Sequence, residues 1–275
     1  MTVRELLAAA TRRLDGARID AELLLAHALG VSRVKLYAWP ELEPDAGAIE
    51  RFERSIAARA SGEPVAYLVG HREFWNLDLA VSPAVLIPRP ETERLVELAL
   101  ERIATDREVR VADLGAGSGA IALAIASERP RARVLATDAS ADALAVARAN
   151  AERLRLGNVA FAQGDWCDAL GDARFDVIVS NPPYIAEDDP HLRAGDLPRE
   201  PRAALASGVD GLDAIRRIVA CAPSHLEPDG WLLLEHGWDQ ATSTRALLER
   251  ACFVDFESVR DDAGHERVTL GRARA

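Results

Sequence analysis

The chain has 275 residues, of which 49% are hydrophobic and 28% charged, with a formal net charge of −11. This composition is typical of a soluble globular protein, and the length allows one large domain or a small domain joined to a larger one. Tight, non-specific binding to nucleic acid needs several phosphate contacts from lysine and arginine, so the acidic balance argues against that class of protein.

The N-terminus and the cysteines predict the cell compartment. The first 20 residues form a charged amphipathic pattern without the apolar segment of a secretory signal, and no stretch approaches the roughly 18 apolar residues of a membrane span. Cys167, Cys221 and Cys252 are odd in number, widely spaced and without a CxxC pair. We therefore expect reduced thiols, no metal site, and a monomeric cytoplasmic protein that binds neither membranes nor, stably, nucleic acid.

Residues 1–70 predict a small helical domain. An apolar stripe from Val3 to Leu14 indicates the first helix. A second runs from about 21 to 29 and stops at Gly30, a natural helix end, and a third is expected at about 49–60.

Residues 71–90 predict a β-hairpin that links this domain to the next. The segment Glu73–Val81 alternates around a turn-forming residue in its middle, as hairpins do. The following run, Leu86–Glu93, leads into a helix that extends to about Ala104.

The segment 91–275 predicts one α/β domain. Strands alternate with helices, which implies a mostly parallel sheet covered on both faces. The last two strands follow each other without a helix and indicate an antiparallel pair. The predicted strands are 109–114, 133–137, 159–163, 175–180, 231–235, 253–259 and 267–271, and the predicted helices are 120–127, 141–154, 211–222 and 240–250.

A glycine-rich turn follows the first strand of this domain, in the segment Asp113–Gly119. Glycines at alternate positions allow a tight turn and a close approach to a ligand, and the next helix directs its free N–H groups to the same place. By itself the motif is a weak signal, because oxidoreductases and several other classes share it.

The next two strand ends strengthen this signal. Asp138 ends the second strand about 20 residues beyond the glycines, where a carboxylate can hold both hydroxyls of a ribose. Trp166 follows the third strand and offers an aromatic wall for an adenine. Hydride-transfer enzymes compete with this interpretation: their third glycine would fall at Ala120, and alanine is tolerated there.

The fourth strand ends in Asn181-Pro182-Pro183-Tyr184. Two successive prolines remove two backbone donors and stiffen the chain, which leaves carbonyls free to face a ligand. Asn181 Oδ1 and the Pro182 carbonyl can accept both hydrogens of one planar –NH2 group, and Tyr184 adds a ring face and a hydroxyl. With a sulfonium methyl donor, this chemistry requires no metal, cysteine nucleophile or histidine base.

In these motifs, the chain resembles the peptide chain release factor glutamine N5-methyltransferases, the PrmC/HemK family. The resemblance covers nearly the whole length and includes Arg72–Trp75, Leu86–Glu93, Glu235–Gly237 and Glu266–Gly271. It implies a Rossmann-like class I S-adenosylmethionine-dependent methyltransferase domain with a seven-stranded sheet, preceded by a helical domain for release-factor recognition. Glu91 is a small departure, since many relatives have Asp there.

The resemblance also implies the reaction and its residues. The expected product is N5-methylglutamine in the Gly-Gly-Gln motif of class 1 release factors, made with S-adenosylmethionine, which becomes S-adenosylhomocysteine. The expected catalytic residues are Asn181, Pro182 and Tyr184, and the substrate-binding residues are Asn181, Pro182, Pro183 and Tyr184. The expected cofactor contacts are Gly115, Ala116, Gly117, Ser118, Gly119, Asp138, Trp166 and Asn181.

Two other functions stay open on the sequence. An adenine-N6 DNA methyltransferase would use the same tetrapeptide, but the acidic charge and the lack of an obvious basic target-recognition domain disfavour it. A catalytically silent S-adenosylmethionine-binding module is the other alternative, and the intact tetrapeptide speaks against it.

Overall fold

The computed structural model describes residues 1–274 and divides the chain into two compact units, Met1–His71 and Arg72–Ala275. Each unit has a hydrophobic core of its own. In the described residues, no helix has both the length and the apolar character needed to cross a membrane.

The first unit is built from helices. Thr2 begins α1 with a capping box, in which its hydroxyl accepts the Glu5 N–H at 3.2 Å and the Glu5 carboxylate accepts the Thr2 N–H at 2.9 Å. Gly30 ends α2 in the left-handed conformation. The predicted stripe from Val3 to Leu14 is confirmed as part of the core. The helices are α1 (Val3–Arg13), α2 (Arg18–Leu29), α3 (Arg33–Ala38), α4 (Ala46–Ala60) and α5 (Val65–Val69).

The second unit opens with a two-stranded hairpin, whose first strand begins at the boundary between the units, and continues as a sheet with helices. The hairpin strands are β1 (His71–Phe74) and β2 (Leu77–Ala80). The sheet strands are β3 (Arg110–Leu114), β4 (Arg133–Asp138), β5 (Val159–Gln163), β6 (Phe175–Ser180), β7 (Leu226–Glu235), β8 (Val254–Arg260) and β9 (Glu266–Arg272). The α-helices are α6 (Glu93–Arg102), α7 (Ala120–Glu128), α8 (Ala141–Leu154), α9 (Asp213–His225) and α10 (Ala241–Arg250). Short 3-10 turns occupy Pro90–Thr92, Trp166–Leu170, Pro190–Arg193, Leu197–Arg199 and Arg202–Ala204.

The seven sheet strands lie in the order β5-β4-β3-β6-β7-β9-β8. All neighbours are parallel except β9, which pairs antiparallel with both β7 and β8. The α/β class and the mostly parallel seven-stranded sheet are therefore confirmed, as is the terminal antiparallel pair. Because successive strand residues point to opposite faces, Val111 and Ala112 belong to two different cores, one built with α6 and α7 and the other with α9 and α10.

The strand order reverses between β3 and β6, and ligands of such sheets bind where the order reverses. Asp113 of β3 pairs in register with Val179 of β6, so both strands end at the same level. Ser180 locks this pairing, because its buried hydroxyl donates to the Leu114 carbonyl at 2.6 Å. The glycine turn and the Asn181 tetrapeptide therefore leave the sheet side by side.

Asn150 of α8 fastens the hairpin to this sheet. Its side chain is fully buried, accepts the Ala80 N–H at 2.7 Å and donates to the Ala80 carbonyl at 3.0 Å. The same amide donates to the Ser118 carbonyl of the glycine turn at 3.0 Å. One asparagine thus connects the hairpin, α8 and the glycine turn.

The prediction of three reduced thiols is wrong for two of them. The structure joins Cys167 to Cys221 in a disulfide with a Cα–Cα distance of 6.2 Å, and Cys252 is free and exposed. The 3-10 turn that holds Cys167 packs beside α9, which holds Cys221, at the border of one sheet core. This proximity is tertiary and separates the partners by 54 residues, so cysteine spacing did not reveal it.

We predict that Asn150→Ala lowers the free energy of unfolding by about 2–3 kcal/mol, because it leaves backbone groups of the half-buried Ala80 and the buried Ser118 without partners. Urea denaturation measures the loss. Glu152→Ala changes an exposed side chain on the same helix and is the control, with an expected effect within about 0.5 kcal/mol. Equal stability of the two variants would contradict the role of Asn150.

Candidate active site

A first cavity of about 270 Å³ lies at the carboxyl ends of the parallel strands. Its position matches the point where the strand order reverses. It brings together predicted residues from four successive strand ends. Among its lining residues are Gly115, Gly117, Asp138, Trp166, Asn181 and Pro183.

The glycine turn has the geometry that its sequence predicts. Gly115, Gly117 and Gly119 all have positive φ, at +78°, +56° and +84°. A Cβ on Gly115 would lie 3.3 Å from the Trp166 ring, so this glycine keeps the cavity open. Gly119 lines neither the first cavity nor the neighbouring one of about 50 Å³, and its backbone packs instead against Leu123 and Ala147.

The remaining turn residues contribute mainly through the backbone. Ala116 and Ser118 are buried and line the smaller cavity of about 50 Å³, which also borders Asn181. Asp113 lies beneath the turn and accepts the Ala122 N–H at 3.0 Å. Burial raises the pKa of its carboxyl to about 7.

Asp138 is held in place by backbone donors. Its Oδ2 accepts the Gly117 N–H at 2.9 Å and its Oδ1 accepts the Ser140 N–H at 2.8 Å. Each carboxylate oxygen keeps further acceptor capacity toward the cavity. Asp138 is therefore a pre-oriented acceptor for two neighbouring hydroxyls.

A second cavity of about 580 Å³ lies on the other side of the tetrapeptide. Asn181, Pro182 and Tyr184 line it, and so does His191, from the long segment after the tetrapeptide. Trp238 also lines it and has an exposed side chain. Further lining residues with charged side chains are Arg89, Glu91, Asp189, Asp210, Asp239 and Arg267.

The tetrapeptide therefore separates the two cavities. Pro182 and Tyr184 line the second cavity, whereas Pro183, predicted to bind the same ligand as its neighbours, lines the first. Asn181 lines both. A group bound in one cavity meets a group bound in the other at this asparagine.

The Asn181 amide is oriented by Thr92, a residue that sequence reasoning did not single out. Asn181 Nδ2 donates to Thr92 Oγ1 at 3.0 Å. Its Oδ1 has no hydrogen-bond partner among residues 1–274, so it is available as an acceptor. The only sequence signal for Thr92 was its place in the run Leu86–Glu93.

Tyr184 is fixed at both its hydroxyl and its carbonyl. The hydroxyl donates to Glu235 Oε1 at 3.2 Å, and burial, reinforced by the Glu235 charge, raises the pKa of the phenol. The Tyr184 carbonyl accepts Gln240 Nε2 at 3.0 Å. Gly211 backs the same carbonyl so closely that only glycine fits, since a Cβ there would lie 2.2 Å from it.

The segment after the tetrapeptide, residues 185–210, is anchored by Glu200. Its buried carboxylate accepts the Ile87 N–H at 2.9 Å and pairs with the Arg89 guanidinium. Arg89 thus pairs with a residue 111 positions away in the chain. This ion pair holds the segment against the run that contains Thr92.

The histidine that follows Glu235 is held inside the protein. His236 is fully buried, where its Nδ1 lies 2.8 Å from the Gly237 carbonyl and its Nε2 2.7 Å from Thr269 Oγ1. Across residues 1–274, no group of three or more His, Cys, Asp and Glu side chains is arranged to hold a metal ion.

We predict that Gly211→Ala is much more disruptive than Gly264→Ala. Both glycines have positive φ, at +76° and +83°, so both variants carry backbone strain of about 1 kcal/mol. Only Gly211 would also force a Cβ into the Tyr184 carbonyl, whereas nothing lies within 4 Å of a Cβ on Gly264. Thermal unfolding measures the difference, and equal melting temperatures would contradict the close packing.

The chain is similar to known proteins in sequence and in structure. A family model described as the methyltransferase small domain matches residues 92–208, and one described as the PrmC N-terminal domain matches residues 5–70. In structure, the chain is similar to a methyltransferase from Pyrococcus furiosus, with a TM-score of 0.54 and 19% identity over 72% of this chain and 90% of that one. It is also similar to a T. thermophilus 16S rRNA N2 methyltransferase solved with AdoMet and guanosine, with a TM-score of 0.56 and 23% identity over 74% of this chain and 50% of that one. These two likenesses concern the fold.

Sequence relatives are much closer. The chain is 56% identical over 267 residues to the release factor glutamine methyltransferase of Xylella fastidiosa, which covers 97% of this chain and 96% of that protein. It is 54% identical over 256 residues to the Pseudomonas aeruginosa protein of the same name, with 93% and 92% covered. The chain therefore belongs to the release factor glutamine methyltransferase family.

Proposed function

We propose that this protein transfers a methyl group from S-adenosylmethionine to N5 of the glutamine in the Gly-Gly-Gln motif of class 1 release factors. The observation that carries the proposal is the position of Asn181, which lines both cavities with a free side-chain acceptor. The family relationship supports the choice of a glutamine as the methylated group.

The first cavity fits S-adenosylmethionine by its chemistry. Asp138 presents a fixed carboxylate for the two ribose hydroxyls, and Trp166 gives an aromatic wall for the adenine. Gly115 lacks the Cβ that would narrow the space beside that ring. When bound, the cofactor supplies an electrophilic methyl group on a sulfonium sulfur.

The protein's own part in the reaction is to hold the glutamine nitrogen. An amide nitrogen is a poor nucleophile because its lone pair is delocalised. Asn181 Oδ1 and the Pro182 carbonyl accept its two hydrogens, which favours pyramidalisation as positive charge develops. As the N–CH3 bond forms the S–CH3 bond breaks, and the nitrogen then loses one of its two protons to solvent, which leaves neutral N5-methylglutamine. Such hydrogen bonds are worth about 1.5–3 kcal/mol each, and alignment of the reacting atoms contributes up to about 7–11 kcal/mol.

The proposal extends to the first unit, which we assign to release-factor recognition. Near α3 this unit exposes apolar side chains that its own core leaves uncovered: Val34, Tyr37, Trp39 and Leu42. Tyr37 is held firmly, because its hydroxyl donates to the buried Glu22 carboxylate at 2.6 Å. A rigid, exposed aromatic surface of this kind suits a protein partner.

We predict that Asn181→Ala and Asp138→Ala impair different steps. Asn181→Ala removes the amide acceptor and lowers kcat by about 100-fold at saturating S-adenosylmethionine. Asp138→Ala removes the ribose acceptor and weakens S-adenosylmethionine binding by about 10-fold or more. Mass spectrometry of a purified release factor measures methylation of the glutamine, and calorimetry measures cofactor binding.

Three outcomes of this assay would overturn the proposal. Methylation of DNA in place of the release factor would identify an adenine methyltransferase. Cofactor binding by the wild-type protein without any transfer would identify a silent binding module. Full activity of Asn181→Ala would remove the tetrapeptide from the chemistry.

For the first unit, we predict that Trp39→Ala raises KM for the intact release factor by about 10-fold and leaves kcat unchanged, because the side chain acts in docking and not in the chemistry. A short Gly-Gly-Gln peptide is expected to react equally well with both proteins. Arg54→Ala, an exposed change on α4, is the control. An unchanged KM for Trp39→Ala would contradict this docking surface.

A further inference from the structure

We propose that Thr92 and Glu235 are positioning residues that fix the orientation of the Asn181 amide, so that Oδ1 and not Nδ2 faces the substrate nitrogen. The inference rests on the proposed function, because it assigns the acceptor that the glutamine –NH2 group requires. It adds two residues to the site that lie outside the tetrapeptide.

Asn181 and Thr92 are joined by a direct side-chain hydrogen bond. Thr92 is 4% exposed and ends the 3-10 turn Pro90–Thr92. Its Oγ1 accepts from Asn181 Nδ2 at 3.0 Å. A hydroxyl has one proton and two acceptor lone pairs, so Thr92 acts as the acceptor in this contact only while its own proton points elsewhere.

We assign the Glu235 carboxylate as the acceptor of the Thr92 hydroxyl proton. The register of β6 with β7 pairs Ser180 with Leu234, so Asn181 and Glu235 are the next residues at the same edge of the sheet. The Glu235 side chain is buried, which raises the pKa of its carboxyl, and the nearby Thr92 hydroxyl lowers it. Glu235 Oε2 is buried and has no hydrogen-bond partner among residues 1–274, so it can accept the Thr92 proton.

The hydrogen bond with Thr92 decides which end of the Asn181 amide faces the cavities. When the Thr92 hydroxyl donates to the Glu235 carboxylate, the Thr92 oxygen accepts from Asn181 Nδ2. Asn181 Oδ1 then stays free to accept from the substrate. If the Thr92 hydroxyl were free to donate to Asn181 instead, the amide would turn and present Nδ2. Two N–H donors would then face each other, and the substrate –NH2 would lose one of its two acceptors.

Glu235 also connects this arrangement to Tyr184, whose hydroxyl donates to Oε1 at 3.2 Å. The charged groups around the carboxylate are Arg267 from β9, which lowers its pKa, and Glu91, which raises it. Burial is the largest influence and raises the pKa of Glu235 to about 7. The charged carboxylate is therefore gained as pH rises through about 7 and lost below it.

The test compares Thr92→Val, which removes the hydroxyl at constant shape, with Thr92→Ser, which keeps it. Thr92→Val is expected to lower kcat for glutamine methylation by about 10- to 100-fold, with S-adenosylmethionine affinity unchanged, and Thr92→Ser is expected to restore most of the activity. Thr244→Val is the matched control. Thr244 is equally buried, but its hydroxyl donates to the Gln240 carbonyl within its own helix.

Two further readouts separate positioning from stability. The kcat of the wild-type enzyme is expected to rise with pH through about 7, and Glu235→Gln is expected to have a low kcat without that rise. Asp113 also has a raised pKa near 7, so only loss of the rise in Glu235→Gln assigns it to Glu235. The side-chain amide resonances of Asn181 are expected to shift in Thr92→Val even without substrate.

Several results would overturn the inference. These are wild-type kcat in Thr92→Val, equal losses in Thr92→Val and Thr92→Ser, or a loss of cofactor affinity that accounts for the whole defect. Unchanged Asn181 amide resonances in Thr92→Val would overturn it as well. Failure of the proposed function is distinguishable, because the wild-type enzyme would then not methylate glutamine, whereas the amide resonances still report on the contact with Thr92.

Discussion

The parallel pairing of β3 with β6 is the constraint on which the site depends. It occurs where the strand order reverses, and the Ser180 hydroxyl bonded to the Leu114 carbonyl at 2.6 Å holds the ends of both strands level. A slip of one residue would turn every side chain of β6 to the opposite face of the sheet. The glycine turn and Asn181 would then no longer meet at a common border, and Asn181 would no longer line both cavities.

The rigidity of the tetrapeptide comes from outside it. Two prolines restrict its backbone, but its direction is set by Thr92 before α6, Glu235 at the end of β7 and Gln240 before α10. These partners come from two separate parts of the chain, Thr92 from one and the neighbouring residues Glu235 and Gln240 from the other. Because buried polar groups need partners, each of them restricts the tetrapeptide to one orientation. The acceptors are thus arranged before any substrate arrives, which limits the reorganisation that the reaction requires.

Sequence reasoning succeeded where local order and sheet topology suffice. Asp138 ends one parallel strand and Asn181 directly follows another, and such ends meet at one edge of the sheet, so their assembly was predictable. Thr92 and Glu235 were not identified, because their roles depend on contacts with residues 89 and 51 positions away in the chain. The pairing of Cys167 with Cys221 was missed for the same reason. Helices α3 and α5, of six and five residues, are too short to show a helical period.

The residues that hold the reacting –NH2 group do not by themselves select the molecule that carries it. Asn181 Oδ1 and the Pro182 carbonyl suit any planar –NH2 group, whether a glutamine amide or an adenine amine, so the tetrapeptide alone does not determine the substrate. Under the proposed function, selection of the substrate falls to surfaces other than the tetrapeptide, namely the walls of the second cavity and the exposed aromatic residues near α3. Wall residues that take no part in holding the tetrapeptide, such as His191 and Trp238, can change without disturbing Thr92 or Glu235. A fold of this kind can therefore acquire new substrates while its methyl-transfer geometry stays the same.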